Sequence, residues 1–297
     1  MAPRQSCDPI DKLENENQEG KDCHGHGTYV AGLVGGNGTG LATSVTLFSV
    51  RVARCEGDAS EASLIDGLMC VLQHRKGRNG TRAVVNLSFT TDRDSQGITD
   101  AINKVLENDI IFIAAAGNGR NSRIRTPNYN SCLVYPAGHS GVIAVAATDM
   151  DDNALMGSDS IITKMGPCVD VFAPGYGILS SHICTDGTPC YRPSSNVAET
   201  VGDECSNTCQ RFQTGTSAST GIATGAVSLL LEKCPNITNS EVRNKLRTSL
   251  SKGRVQFCKA FEYLSKSSDP DLSSAVDDVG TTDNRLLYIG DLPSIDC

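Results

Sequence analysis

A serine lies among small residues at the start of an apolar run. Residues 215–219 read GTSAS, and the run 222–231 that follows carries no charge until Glu232. This pattern predicts a buried helix. The start of a helix offers free backbone N–H groups and the positive end of the dipole, which can stabilise an oxyanion. A helix-capping serine has the same pattern, so this segment alone does not establish a nucleophile.

Two other segments contain the groups that a nucleophilic serine needs. Residues 24–32 read HGHGTYVAG, which places His26 among glycines and small residues. A neutral imidazole, with an ordinary pKa of about 6.5, can take the proton of a hydroxyl. Residues 110–118 read IIFIAAAGN, a buried strand that runs into Asn118, whose amide can donate to an oxyanion. Taken singly, the histidine fits a structural role and Gly-Asn fits a turn.

The three motifs, in this order, resemble those of the subtilisin-like serine proteases, or subtilases, and of their proteinase-K-like branch. The family motifs are HGTHVAG, AAGN and GTSMATPHVAG. The resemblance extends over nearly the whole chain. It implies a serine endopeptidase that forms an acyl-enzyme at Ser217, with His26 as general base and Asn118 as oxyanion donor.

The resemblance also implies a substrate site. Its residues would be Ser88, Phe89, Thr90, Ala115, Ala116 and Gly117. The edge that begins at Ser88 would pair with an extended peptide, which is a form of β-strand addition. Thr90 puts a β-branched side chain where the family usually has glycine, which changes the fit of a substrate.

The acid that should orient the histidine is the main departure from the family pattern. In the family it follows an apolar strand about thirty residues before the histidine, as the resemblance implies. Only 25 residues precede His26, and no strand is predicted before any acid among them. Asp8, Asp11 and Asp22 are expected to be loop acids, so none is assigned. We therefore expect a chain that is incomplete at its N-terminus.

Thirteen cysteines without metal-ligand spacing indicate disulfides and an oxidising compartment. The cysteines resemble those of the type-nine proprotein convertases, within the proprotein convertase subtilisin/kexin group. That resemblance implies three pairs: Cys23–Cys55, Cys132–Cys168 and Cys205–Cys209. Cys184–Cys190 is predicted as a further, local pair, and Cys234–Cys258 is an additional candidate pair. An odd count leaves at least one thiol unpaired.

No cofactor is expected to be required. Val142 and Asp170 align with a calcium site of the proteinase-K-like branch, so a structural calcium ion is left open. An exposed loop aspartate is the alternative for Asp170.

Strand-like and helix-like segments alternate along the chain. Strands are predicted at 46–52, 83–89, 110–116, 142–146 and 169–172, and helices at 62–73, 98–107, 222–231 and 242–250. Thr238 and Glu241 predict a capping box for the last helix. Alternation with apolar strands predicts an α/β fold with a mostly parallel sheet and helices on both faces, the three-layer subtilisin-like fold. Active sites in such sheets form at the carboxyl ends of strands.

The composition limits the partners and the organisation of the chain. A formal net charge of −8 without a basic stripe argues against nucleic acid, and no apolar run reaches the length of a membrane span. We expect an irregular segment at 1–20, a catalytic domain at 21–290 and a tail at 291–297. Expected partners are protein or peptide substrates and a prodomain of its own, and the expected location is extracellular, although no signal peptide is recognised. Two alternatives stay open: a catalytically inactive binding domain and an incomplete gene fragment.

Overall fold

The computed structural model describes residues 6–7, 21–76, 78, 81–91, 95–119, 130–156, 162–184, 209–248, 250–254 and 285–287. The helices within these ranges are α1 (His26–Gly35), α2 (Glu61–Lys76), α3 (Gln96–Glu107), α4 (Thr216–Lys233) and α5 (Asn239–Arg247). The strands are β1 (Ser6–Cys7), β2 (Ser49–Val50), β3 (Ala83–Leu87), β4 (Ile110–Ala115), β5 (Ile143–Thr148), β6 (Val171–Pro174), β7 (Ile178–Ser181), β8 (Gln210–Gln213), β9 (Ser251–Arg254) and β10 (Arg285–Leu287).

A mostly parallel sheet forms the middle layer. Its order is β3-β4-β5-β6-β10-β9, and only β9 runs antiparallel to its neighbour. β1 and β2 form a separate parallel pair, and β7 and β8 form an antiparallel pair. The predicted α/β fold with a mostly parallel sheet is confirmed.

Strand β4 shows how the sheet joins two helical layers. All six of its residues are buried, and alternate side chains point to opposite faces. Ile111 and Ile113 pack in the cluster that contains α4 and α5, whereas Ile110 and Phe112 pack in the cluster that contains α2 and α3. Burial on both faces explains why the strand is apolar throughout, as expected for a parallel sheet covered by helices.

The predicted elements are present with shifted ends: the helix predicted at 222–231 spans Thr216–Lys233, and the helix predicted at 242–250 spans Asn239–Arg247. The predicted capping box is confirmed: Thr238 accepts from the backbone N–H of Glu241, and the Glu241 carboxylate accepts from the N–H of Thr238. The strand predicted at 46–52 is reduced to Ser49–Val50, which pairs with β1.

The expectation that no strand precedes an acid near the N-terminus is wrong. Ser6 and Cys7 pair in parallel with Ser49 and Val50, and Asp8 is the next residue in the chain. Two residues are too few to produce a periodic hydrophobic signal, so the sequence did not reveal this strand. Apart from β1, the predicted segments 1–20 and 291–297 lie outside the described residues.

The structure gives both partners of three disulfides, and Cys70 and Cys234 are disulfide-bonded as well. Two of them join Cys23 to Cys55 and Cys132 to Cys168, as the resemblance implied. The third joins Cys184 to Cys209, so the predicted pairs Cys205–Cys209 and Cys184–Cys190 are wrong.

The physical reason for the third disulfide is the pairing of β7 with β8. The ladder aligns Ser181 with Gln210, and the His182 N–H donates to the Cys209 carbonyl at 2.7 Å. This antiparallel pairing brings Cys184 next to Cys209 across the ladder, although 25 positions separate them in the sequence. Cys234 is also disulfide-bonded, and Cys258 lies outside the described residues.

In the described part of the chain, no helix is long and apolar enough to cross a membrane.

Candidate active site

His26 is the first residue of α1, and the carboxylate of Asp22 closes the start of that helix. Asp22 accepts from the backbone N–H groups of His24 at 3.0 Å, Gly25 at 2.7 Å and Thr28 at 2.8 Å. It also accepts from the Thr28 hydroxyl at 2.7 Å. The first N–H groups of a helix lack partners within it, so Asp22 supplies the cap that Gly25 cannot.

The surroundings of His26 favour its neutral form. Burial lowers the pKa of His26 first, and the charges of His24 and His182 lower it further, while the Asp22 carboxylate opposes them. A neutral imidazole is the form that accepts a proton, so this environment suits a general base. Both carboxylate oxygens of Asp22 already accept hydrogen bonds from residues at the start of α1. Asp22 is therefore a capping residue and not a hydrogen-bonding partner of the His26 imidazole.

Gly25 allows His182 to lie beneath the start of α1. The backbone of Gly25 is left-handed, with φ at 88°, and a Cβ there would collide with the His182 ring. His182 is almost fully buried and its Nδ1 lies 3.0 Å from the carbonyl of Ile183. The β7–β8 pair thus supports the helix that carries His26.

The amide oxygen of Asn118 is held by the residue before Ser217. It accepts from the backbone N–H and from the hydroxyl of Thr216, both at 3.1 Å. Because Oδ1 is engaged, the Nδ2 group is the part of this exposed side chain that can donate elsewhere. Gly215, with φ at 144°, makes this arrangement possible, since a Cβ there would lie 3.2 Å from Asn118 Oδ1.

Ser217 lies in the first turn of α4 and makes a reciprocal contact with Ser88, the residue that follows β3. Its hydroxyl donates to the Ser88 carbonyl at 3.3 Å, and the Ser88 hydroxyl donates to the Ser217 carbonyl at 3.1 Å. The Ser217 hydroxyl therefore donates to the backbone carbonyl of Ser88 and not to His26. Its own N–H belongs to the first turn of α4, where N–H groups lack helical acceptors.

A cavity of about 1610 Å³ brings the predicted residues together. Its lining includes the proposed base, nucleophile and oxyanion donor and most of the proposed substrate residues: His26, Ser217, Asn118, Ser88, Phe89, Thr90, Ala115 and Gly117. Ala116 is not part of the lining, because it is buried and its N–H donates to the Val145 carbonyl at 2.9 Å.

Residues around β2 and β3 both line this cavity, although the two strands belong to different sheets. Among the described strands, β1 pairs only with β2. The cavity therefore continues from the site into the space between the two sheets.

Sequence reasoning missed a series of polar contacts behind Ser217. The Thr224 hydroxyl donates to Asn86 Oδ1 at 2.8 Å, and Asn86 Nδ2 donates to the Ser88 hydroxyl at 3.1 Å. This series links α4 to β3 and ends at the residue that contacts Ser217. An asparagine within the otherwise apolar segment 83–87 was the signal available in the sequence.

Val142 and Asp170 lie elsewhere. They immediately precede β5 and β6, at the amino ends of the parallel strands, whereas Ser88 and Asn118 follow the carboxyl ends of β3 and β4. The described residues contain no group of three or more histidine, cysteine or acidic side chains suited to a metal ion.

These features define a class: an α/β protein with a serine at a helix start, an asparagine amide beside it and a histidine across the same cavity. The sequence profile of the subtilase family matches residues 3–276. The chain therefore belongs to the subtilase family.

Two curated relatives illustrate its range. The chain is 33% identical to an extracellular serine proteinase of Thermus sp. (strain Rt41A), over 76% of this chain and 46% of that protein. It is 28% identical to proprotein convertase subtilisin/kexin type 9 of Rattus norvegicus, over 77% of this chain and 29% of that protein. The chain thus spans less than half of either relative.

The fold also matches a solved structure. A crystal structure of a cold-adapted subtilisin-like serine proteinase superposes with a TM-score of 0.66 and 26% sequence identity, covering 96% of this chain and 81% of that one. This similarity agrees with the three-layer subtilisin-like fold predicted from the sequence.

Proposed function

We propose that this protein is a secreted serine endopeptidase with Ser217 as nucleophile, His26 as general base and Asn118 as oxyanion donor. The observation that carries the proposal is the orientation of Asn118. Its oxygen is engaged by Thr216, one residue before Ser217, which leaves Nδ2 and the Ser217 N–H as two donors for a single oxyanion.

The reaction follows from these roles. His26 takes the proton of the Ser217 hydroxyl as the oxygen attacks the peptide carbonyl, and the carbonyl oxygen becomes the oxyanion. The imidazolium gives that proton to the leaving amine when the C–N bond breaks, which produces an acyl-enzyme. Water then attacks the ester, passes a proton to His26, and Ser217 regains its hydrogen.

The group that orients His26 is proposed to be Asp8. This residue directly follows β1, and β1 runs parallel to β2, whose successor Arg51 contacts the sulfur of Cys23 at 3.3 Å. The carboxyl end of β1 is thus on the side of the sheet from which the chain enters α1. The subtilase profile also includes this segment, since it matches from residue 3.

Extracellular location and protein substrates are part of the same proposal. Three disulfides among the described residues favour an oxidising compartment. The name of the Thermus relative describes an extracellular serine proteinase. No cofactor enters the proposed reaction, and a prodomain remains a proposed partner.

The experiment is a peptidase assay on the full-length secreted protein. Cleavage of a fluorescent casein substrate should be lost in Ser217→Ala and His26→Ala and should fall by roughly 10⁴-fold in Asp8→Asn, a magnitude taken from the triad aspartates of other serine proteases rather than from this structure. Asp11→Asn is the matched control and should retain activity. Activity that survives in Ser217→Ala would disprove the proposed role of this serine.

A second function is favoured by one observation. Ser217 Oγ donates to the Ser88 carbonyl rather than to His26, as expected of a subtilase-like domain that binds a partner without cleaving it. A folded wild-type protein without peptidase activity would support this alternative.

A further inference from the structure

A buried carboxylate lies at the amino ends of the parallel strands, on the side of the sheet opposite to the candidate active site. Asp170 immediately precedes β6 and is fully buried. Its Oδ2 accepts from the Ala144 N–H at 2.9 Å, and its backbone N–H donates to the Ala144 carbonyl at 2.9 Å. A buried charge of this kind is stable only with a close counter-charge.

Two arginines of α5 supply that counter-charge. Arg243 and Arg247 are four residues apart, so they project from the same side of the helix. Arg243 Nε lies 2.8 Å from Asp170 Oδ1 and its Nη2 lies 3.0 Å from Oδ2, while Arg247 Nε lies 2.7 Å from Oδ1. The Arg243 contact is the bidentate geometry that a guanidinium makes with a carboxylate.

Arg243 also contacts two backbone carbonyls. Its Nη1 donates to the Ser140 carbonyl and its Nη2 donates to the Val142 carbonyl. Four oxygens therefore converge on one guanidinium: two carbonyl oxygens and both oxygens of Asp170. Carboxylate and carbonyl oxygens are the ligands that calcium selects.

We propose that the guanidinium of Arg243 takes the place of a calcium ion, so that this edge of the sheet is held by a cation belonging to the chain. Val142 and Asp170 are the residues that align with a calcium site of the proteinase-K-like branch. They do not fit calcium here, because the oxygens that would bind the ion already accept hydrogen bonds from Arg243.

The charges support the same conclusion. One carboxylate faces two guanidinium groups, so the cluster carries a net positive charge before any ion arrives. A calcium ion would add two further positive charges, and it needs six to eight oxygen ligands at about 2.3–2.6 Å. A covalently attached cation, in contrast, is present at any calcium concentration, whereas stabilisation by a bound ion follows its concentration.

The test measures the thermal unfolding midpoint in about 5 mM calcium chloride and in about 5 mM EDTA. The wild-type midpoint should be the same in both solutions. Arg243→Ala should be less stable in EDTA and should gain roughly 5 °C in calcium, because truncation exposes the oxygens to an ion. Arg54→Ala is the control for loss of a cation from an exposed pair, with side chains 47% and 64% exposed, and should show no calcium response.

Two results would overturn the proposal. One is a rise of the wild-type midpoint in calcium that disappears in Asp170→Asn. The other is an Arg243→Ala variant that responds to calcium no more than the wild type does. If Arg243→Ala does not fold in EDTA, recovery of a folded protein by calcium supports the proposal, and Arg243→Gln is then measured with the same criteria. If neither variant folds in either solution, the wild-type unfolding midpoint alone decides. An equal midpoint in calcium and in EDTA supports the proposal, and a higher midpoint in calcium that depends on Asp170 overturns it.

Discussion

Thr216 holds the amide oxygen of Asn118 with both its backbone N–H and its hydroxyl, each at 3.1 Å. The two residues are 98 positions apart and meet where β4 ends and α4 begins. The contact fixes which end of the Asn118 amide is available as a donor. Thr216 is therefore a positioning residue for the proposed oxyanion site.

Thr216→Val should reduce kcat roughly 3- to 10-fold with little change in KM, because loss of one neutral hydrogen bond leaves Asn118 less well oriented. Thr216→Ser keeps the hydroxyl and should restore most of kcat. Asn118→Ala should be more severe, on the order of 10²–10³ in kcat, a magnitude taken from a subtilisin rather than from this structure. An equal effect of the valine and serine variants would refute the positioning role.

The pH dependence of kcat/KM should report the lowered pKa of His26. Burial, His24 and His182 all lower that pKa, so the neutral base persists to lower pH than an ordinary imidazole and activity is lost only as pH falls through the lowered value. His24→Gln removes one of the charges that lower it. The acid limb should then move to higher pH.

The control for this experiment is His139→Gln, which removes an imidazole whose neighbours are Asn103 and Arg243. It should leave the acid limb in place. An acid limb that moves to lower pH in His24→Gln would contradict the electrostatic account of His26.

Asp22 should stabilise the start of α1 in a pH-dependent way. Burial opposes the charged form, but hydrogen bonds from Gly25, Thr28 and His24 prevail, so the pKa of Asp22 is lowered. A carboxylate with a lowered pKa contributes stability above its unfolded-state pKa and loses it as pH falls through its folded-state pKa. Asp22→Ala should cost about 1–2 kcal/mol near neutral pH, and the difference should shrink in acid.

Chemical denaturation of the wild type and Asp22→Ala at several pH values measures this effect. Asp58→Ala is the comparison, since Asp58 belongs to an exposed ion pair at 4.0 Å that contributes little. A free-energy difference between wild type and Asp22→Ala that is independent of pH would mean that the carboxylate charge does not act as the cap.

The Cys184–Cys209 disulfide can be detected directly by peptide mapping. Cleavage of the unreduced protein before Asp186 and Asp203 separates Cys184, Cys190 and Cys209 into three fragments. The fragment that begins at Asp203 also contains Cys205, Cys234 and Cys258, so the fragment ions from tandem mass spectrometry must place the link from Cys184 at Cys209. A link from Cys184 to Cys190 would instead support the pairing predicted from the sequence.

Local signals explain how much of the fold could be predicted. Strand β4 is apolar throughout because helices cover both of its faces. The capping box of Thr238 and Glu241 predicts the start of α5. The motifs around His26, Asn118 and Ser217 are likewise short and contiguous, so the sequence alone was sufficient to select these residues. The structure then places all three against one cavity.

The features that were missed arise from contacts between distant segments. Arg243 meets the Ser140 carbonyl across 103 positions, and Thr224 meets Asn86 across 138. No local pattern encodes such contacts, and the same holds for Cys184 and Cys209, which are aligned by the β7–β8 ladder. β1 was missed for a different reason, because two residues are too few to show a periodic alternation of apolar and polar side chains.

Covalent labelling of Ser217 tests the central claim most directly. The folded, full-length protein is treated with a fluorophosphonate probe, and the labelled peptide is identified by mass spectrometry. The proposed site predicts a single adduct on Ser217 that is absent in Ser217→Ala and strongly reduced in His26→Ala. A folded wild-type protein that takes no label, or that carries the label on another residue, would contradict the account.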